Sequence, residues 1–155
     1  MLRGEFTRGD GLVVTNNITT WGASQLLEMA LRDSAATLFV GLVRGFPTKA
    51  GGISSLVEPT IGANGYARQS IARSNVGWPT AGTLNGSAFL ETDFKVWTPS
   101  GPGFNQAINR LMLCTSVNDL SGNYIALSAT LPEEVILLPA TSLEQRRWKY
   151  KVYLG

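Results

Sequence analysis

Histidine is absent from the 155 residues, and cysteine occurs once, at Cys114. Without an imidazole there is no Ser–His or Cys–His nucleophile pair, no histidine metal ligand and no proton shuttle titrating near neutral pH. One thiol builds neither an internal disulfide nor a thiolate zinc site, so packing alone must hold the fold, which suits synthesis in a reducing cytoplasm. Charge is also scarce: Asp, Glu, Lys and Arg make up 15% of the chain, with a formal net charge of +2. So weak a field does not displace counterions from phosphates, and nucleic acid is not expected as a partner. No run approaches the ~18 apolar residues that span a bilayer, and residues 1–10 lack the apolar centre of a signal peptide. A soluble, unprocessed chain with no membrane partner is expected. The seventeen glycines form no phosphate loop or dinucleotide fingerprint, so no cofactor is expected.

What is present is a chain that is 44% hydrophobic, with seven prolines besides the glycines. That supports one domain with a real core, built from short strands and many turns. The low charge suggests that part of the surface is buried against something else, as in an assembly subunit.

Taken in order, residues 1–11 are polar and glycine-spaced and read as an arm, either disordered or ordered by lying across a neighbouring subunit, with Leu2, Phe6 and Arg8 as its candidate contacts. Residues 12–15 read as a short strand ended by a turn at Asn16-Asn17. Thr19 or Thr20 then caps a helix over residues 21–33, whose Ala23, Leu27, Ala30 and Leu31 share one face. Residues 37–43 form a nearly continuous apolar run of strand length, and Gly41 inside it marks a bulge or a close backbone approach. The stretch 44–64 is long for a compact domain and rich in Gly, Pro, Ser and Thr, so a contact loop is expected. Phe46, Ile53, Leu56 and Val57 are its candidate interface residues.

Gly65-Tyr66-Ala67-Arg68-Gln69-Ser70-Ile71 reads as a central strand, followed by a loop at Trp78, a further candidate contact. Over residues 88–97, Ala88, Leu90, Thr92, Phe94 and Val96 are assigned to the core face, and Glu91, Asp93 and Lys95 to water. Pro99 and Pro102 force a turn. Residues 105–114 and 124–130 make a hairpin around 118–123, and 135–138 read as a short strand or covering segment. In the last strand Trp148, Tyr150, Val152 and Leu154 alternate with Lys149, Lys151 and Tyr153. The expected fold is mainly β, an antiparallel β-sandwich of jelly-roll or Greek-key type with one short N-terminal α-helix. The expected organisation is an arm at 1–11 and a single domain at 12–155.

Few residues suggest chemistry. Glu91 and Asp93 share a strand face as a carboxylate pair would, but read as solvated charge, and Glu133-Glu134 reads as a polar turn. Asp119 and Asn123 carry oxygens suited to calcium, yet such residues in a turn normally serve the backbone. Arg146, Arg147, Lys149 and Lys151 form the one dense basic cluster, either a solvated sheet face or a surface for an acidic protein, with Arg147, Lys149 and Lys151 as candidate contacts. Trp21, Trp78, Trp97 and Trp148 could supply a sugar-stacking platform, though large aromatics more often anchor cores and interfaces. No catalytic, cofactor-binding or metal residue is assigned, and the chain is read as non-enzymatic.

The order of pieces is informative: a short helix, Leu38-Phe39-Val40-Gly41-Leu42, a Gly/Pro/Thr-rich loop, Gly65-Tyr66-Ala67-Arg68-Gln69, and later strands with the turn Asp119-Leu120-Ser121-Gly122. Over roughly residues 12–154 this arrangement resembles small β-sandwich virion structural proteins of tailed bacteriophages, described as capsid-decorating, tail-fibre-like or minor structural. The resemblance implies a capsid decoration or cement protein, a homotrimer made in the host cytoplasm and located in the virion, with the major capsid protein as partner. The alternative is a tail, baseplate or fibre-attachment component. A carbohydrate-binding module is a third reading, resting on exposed aromatics. On the arm reading, removal of residues 1–11 should leave a folded domain that assembles poorly.

Overall fold

The computed structural model describes residues 3–19, 22, 37–48, 50–74 and 76–154. In chain order the strands are β1 (Arg3–Arg8), β2 (Val13–Ile18), β3 (Leu38–Val43), β4 (Gln69–Ile71), β5 (Thr80–Leu84), β6 (Ser87–Glu91), β7 (Lys95–Val96), β8 (Ala107–Ile108), β9 (Arg110–Cys114), β10 (Tyr124–Ser128), β11 (Val135–Ile136) and β12 (Arg147–Leu154). A four-residue helix, α1 (Leu143–Arg146), leads into β12, with the Ser142 hydroxyl accepting from the Gln145 N–H. The fold is mainly β, and its strand pairings are antiparallel. Hydrogen bonding runs in the order β4-β3-β9-β10-β2-β1-β12-β6-β5, with β7 beside β12 and a separate β8–β11 pair.

β2 joins the two halves of this path. Its first residues, Val13 to Thr15, pair with β1, and its last, Asn16 to Ile18, pair with β10. Asn16-Asn17 is therefore not the expected turn: the strand continues through it and changes partner there. Side chains from the two halves meet in one core. Phe6, Trp148 and Tyr150 come from β1 and β12; Leu38, Val40, Leu42, Leu111 and Leu113 come from β3 and β9.

The second half is covered on both faces, which is why β9 and β10 are buried at every position. Odd and even residues of β3 and β9 serve two clusters. Leu38, Val40, Leu111 and Leu113 enter the main core, while Val43, Met112 and Cys114 form a smaller cluster with Tyr124, Leu127 and Ile53. The register of β10 against β9 shifts between Tyr124 and Ala126. This extra residue lets Ile125 and Ala126 both face the main core while Tyr124 and Leu127 face the other cluster.

Several expectations need correction. Residues 3–8 are no arm: they form β1, paired in register with β12 on one side and β2 on the other, and Phe6 is fully buried. The hairpin from β1 to β2 turns at Asp10-Gly11, where Gly11 has φ +92° and the Asp10 carboxylate accepts the Leu12 N–H. The expected central strand at 65–71 is reduced to β4, three residues at one end of the sheet path. Gly65 enters it at φ +79°, with Tyr66 and Arg68 turned inward and Ala67 outward.

The strand expected over 88–97 breaks at residues 92–94 into β6 and β7. Leu90, paired with Ala81 of the fully exposed edge strand β5, is itself 42% exposed, whereas Glu91 and Thr92 are buried. The Thr92 hydroxyl is held there by the Tyr150 N–H at 2.9 Å. The helix expected over 21–33 lies outside the described residues apart from Gly22, whose N–H donates to Thr19 Oγ1 at 2.9 Å, the contact expected of a capping threonine.

Candidate contact surface

The stretch 44–64 returns on itself and is fastened to the sheet at successive points. At its start, Arg110 Nε donates to the Gly45 carbonyl at 2.7 Å, and Asn109 Oδ1 accepts the Gly45 N–H. Arg44 and Val57 then exchange two backbone hydrogen bonds of 2.8 Å, closing the loop into a bridge. Tyr124 Oη accepts the Thr48 N–H at 2.7 Å. A single 3-10 turn, Ile53–Ser55, buries Ile53 over the smaller cluster, and the Ile53 N–H donates to the Gly122 carbonyl at 2.9 Å.

The deepest fastening is a buried ion pair. The Arg68 guanidinium grips both oxygens of Glu58, with Nη2 to Oε2 at 2.7 Å and Nε to Oε1 at 2.9 Å. The side chains of Arg68 and Glu58 are 0% and 4% exposed. Tyr66 Oη donates to Glu58 Oε1 at 2.5 Å and accepts the Leu42 N–H at 3.0 Å, which ties the pair to β3. Burial first, and the Glu58 carboxylate second, hold the Tyr66 hydroxyl well above its ordinary pKa, so it remains a donor. Burial opposes the charge on Arg68, but Glu58, Cys114 and Tyr66 together outweigh it and the guanidinium pKa is raised. Arg68 Nη1 also donates to the Ser116 carbonyl at 2.8 Å, so the same side chain holds the β9–β10 connection.

Gly41 makes room for this group. A Cβ there would lie 2.9 Å from Glu58 Oε1 and 3.1 Å from Met112 Cε. The expected close backbone approach is thus the carboxylate passing over β3.

With its base held this way, the loop sorts its apolar residues into two sets. Ile53 and Leu56 dock on the chain's own sheet, and Ile61 packs against the main core. Phe46 and Val57 point outward, 77% and 52% exposed.

Comparison with protein families, curated sequences and solved structures returns no match.

The remaining sequence-predicted contacts divide in the same manner. Leu2 lies outside the described residues. Phe6 belongs to the core, because β1 lies inside the sheet path. Arg8 is buried over the Trp148 ring and paired with Asp10 at 2.8 Å and Glu133 at 3.4 Å. Trp78 packs against the core, 6.1 Å from the Tyr150 ring. Trp97 and Trp148 are buried, so neither offers a sugar platform, and Trp21 lies outside the described residues. Asp119 Oδ1 accepts from the N–H and the hydroxyl of Ser121, each at 2.7 Å, serving the turn. Among the described residues no group of three or more His, Cys, Asp or Glu is placed to hold a metal ion.

Arg147, Lys149 and Lys151 do share the outward face of β12, but largely neutralised. Lys149 Nζ and Lys151 Nζ each lie 2.8 Å from a Glu91 oxygen, and Arg147 pairs with Glu144 at 2.6 Å. Lys151 also sits 4.6 Å from the centre of the Phe89 ring, and Arg147 4.6 Å from that of Phe94. Burial raises the Glu91 pKa, but the two ammonium groups outweigh it and the net shift is downward. A lowered folded pKa gives stability that is fully present above the ordinary glutamate value of 4.5 and is lost as pH falls through the folded value. The denaturation midpoint of the wild type is therefore expected to fall more steeply on acidification below that value than that of Glu91→Gln. Parallel urea titrations across the acid range check this, and equal slopes would remove the carboxylate as the cause.

Residue reasoning missed Glu58, Arg110 and Tyr124 as the loop's anchors. One signal was available: a charged residue such as Arg110, directly ahead of Leu111-Met112-Leu113-Cys114, must find several acceptors if that run is buried. It does, in the carbonyls of Gly45 and Ser128 and the Thr130 hydroxyl.

Proposed function

We propose that this chain is a non-enzymatic structural subunit of a tailed-phage particle that acts by binding, most specifically a capsid decoration or cement protein seated on the assembled shell. Its architecture in this reading is a two-layer antiparallel sandwich. The shared core between β1–β12 and β3–β9 supports that arrangement. The particle assignment rests on the resemblance carried by Leu38-Phe39-Val40-Gly41-Leu42 and Gly65-Tyr66-Ala67-Arg68-Gln69.

The observation that carries the contact role is the loop at 44–64, pinned at its base by Arg110, Tyr124 and Glu58–Arg68 while Phe46 stays 77% exposed. A large aromatic on a fastened support loses little conformational freedom on binding, which is the character of an interface hot spot. The partner in this reading is the major capsid protein.

Phe46→Ala is expected to leave the thermal midpoint of the free protein within about 2 °C, since an exposed side chain changes stability by no more than ~0.5 kcal/mol. It is expected to weaken retention on particles by about 2 kcal/mol or more, roughly thirty-fold. Co-sedimentation of wild type and variant with purified particles measures this. Quantifying the chain against the major capsid protein in the same particles tests location. A ratio set by the capsomers supports the shell, a ratio set by the tail's threefold or sixfold symmetry moves the chain to the tail or baseplate, and absence from particles removes the virion reading.

A further inference from the structure

We propose that β5 is a subunit seam, at which two copies of this chain pair their Thr80–Leu84 edges antiparallel about a twofold axis at Gly82. The inference stands on the edge itself and does not depend on the virion reading.

β5 ends the sheet path, pairs with β6 alone among the described strands, and is exposed at all five positions. An open edge invites pairing with another strand, and proteins ordinarily blunt it with lysine, proline, a bulge or a cover. β5 has none of these: Thr80-Ala81-Gly82-Thr83-Leu84 runs without a register shift against β6, and residues 74–90 contain no charged side chain at all.

The strand is held ready for a partner. Its hairpin turns at Asn85-Gly86 with φ of +51° and +82°, the two-residue turn whose twist matches that of the strands. In such a hairpin the pair flanking the turn, Leu84 and Ser87, exchanges both hydrogen bonds. Thr80, Gly82 and Leu84 are then engaged with β6, while Ala81 and Thr83 turn their N–H and C=O groups to the open side.

What fits those groups is a second copy of the same strand. A twofold axis at Gly82 sets Ala81 opposite the second copy's Thr83 and Thr83 opposite its Ala81, so every outward backbone group of the segment is satisfied. The neutral edge meets no like charge in doing so. The nearest acid, Glu91, is already held between Lys149 and Lys151. The chain's other sheet end, β4, is a poorer match, with three residues between Arg68 and Arg73.

Side chains fit the same axis. The Phe89 ring leans across Gly82, where an added Cβ would lie 3.0 Å from its Cζ. Two glycines facing each other leave a gap above them, and a ring from each copy stands beside it, as aromatic groups cover edge glycines elsewhere. On the opposite face Leu90, 42% exposed, lies next to Ala81 in register and gains cover from the second copy's Thr83.

The test is the mass in solution together with a cross-link at the axis. Wild-type protein is expected to sediment at twice the 16.7 kDa of one chain. Thr83→Pro removes an outward N–H without taking a bond from β6, so a folded single chain is expected. Gly82→Cys places two thiols at a non-hydrogen-bonded pair with Cα atoms about 4.5 Å apart, inside the disulfide range, and mild oxidation should lock the pair covalently once the Phe89 ring swings aside. The native Cys114 is buried and does not compete. A wild-type mass of one chain, or of the three that the resemblance implies, overturns the proposal, as does a wild-type pair in which Gly82→Cys fails to cross-link.

Discussion

A chain lacking residues 1–11 is expected not to fold. The segment is a strand in the interior of the sheet, with six residues of β1 in register with β12 and three with β2. Its removal strips hydrogen-bond partners from the longest of the described strands and from the strand that joins the two half-sheets, and each buried backbone group left unpaired costs about 1–3 kcal/mol. It also empties the core of Phe6, whose ring centre lies 4.7 Å from that of Tyr150. Loss of a buried phenylalanine alone costs about 3–5 kcal/mol, against a total stability of roughly 5–15 kcal/mol for a domain of ordinary size. Arg8 over Trp148, and its ion pairs to Asp10 and Glu133, go with it. The truncated chain should show no cooperative thermal transition by circular dichroism and poor dispersion of its amide resonances. A sharp transition near that of the full chain would return the segment to the status of an arm.

That outcome is opposite to the one the residues first suggest, and the reason is instructive. In Arg3-Gly4-Glu5-Phe6-Thr7-Arg8 only one side chain is large and apolar, so no hydrophobic alternation advertises a strand. Part of its polar content is satisfied by residues far along the chain: Glu5 accepts from the Tyr153 hydroxyl at 2.9 Å, and Arg8, paired locally with Asp10, also reaches Glu133. Pairings at such separation leave no local trace. Asp10-Gly11 did leave one, and so did Asn85-Gly86: both are the dipeptides that two-residue and other tight hairpins favour, and each marks a hairpin that alternation alone does not reveal. The apolar run at 38–43, the 118–123 hairpin and the alternation of β12 were legible because burial on one or both faces writes itself into composition. The strand at 88–97 was only half legible. Its period is real, but Leu90 sits beside the exposed edge strand β5, and Glu91 is buried by two lysines rather than by apolar cover. For the loop, length and composition marked a long irregular segment, while its anchors Glu58, Arg110 and Tyr124 act through tertiary geometry.

Arg68→Ala is expected to destabilise the protein by about 3–5 kcal/mol, the cost of leaving a buried charge without its partner. The Glu58 side chain is 4% exposed, and after the substitution its carboxylate would keep only the Tyr66 hydroxyl as a donor among the contacts described. The carbonyls of Ser116 and Asp119 would lose the guanidinium at the same time, Ser116 keeping the Cys114 thiol at 3.3 Å. The penalty belongs to the broken pair rather than to the absence of a salt bridge as such: Glu58→Gln combined with Arg68→Met, neutral and of similar volume, is expected to recover much of the loss. Urea denaturation of the three proteins at neutral pH reads both the loss and the recovery. A deficit in Arg68→Ala below about 1 kcal/mol would mean that the carboxylate reaches water when the guanidinium is removed. The loop carrying Phe46 would then be held by Arg110 and Tyr124 without the ion pair.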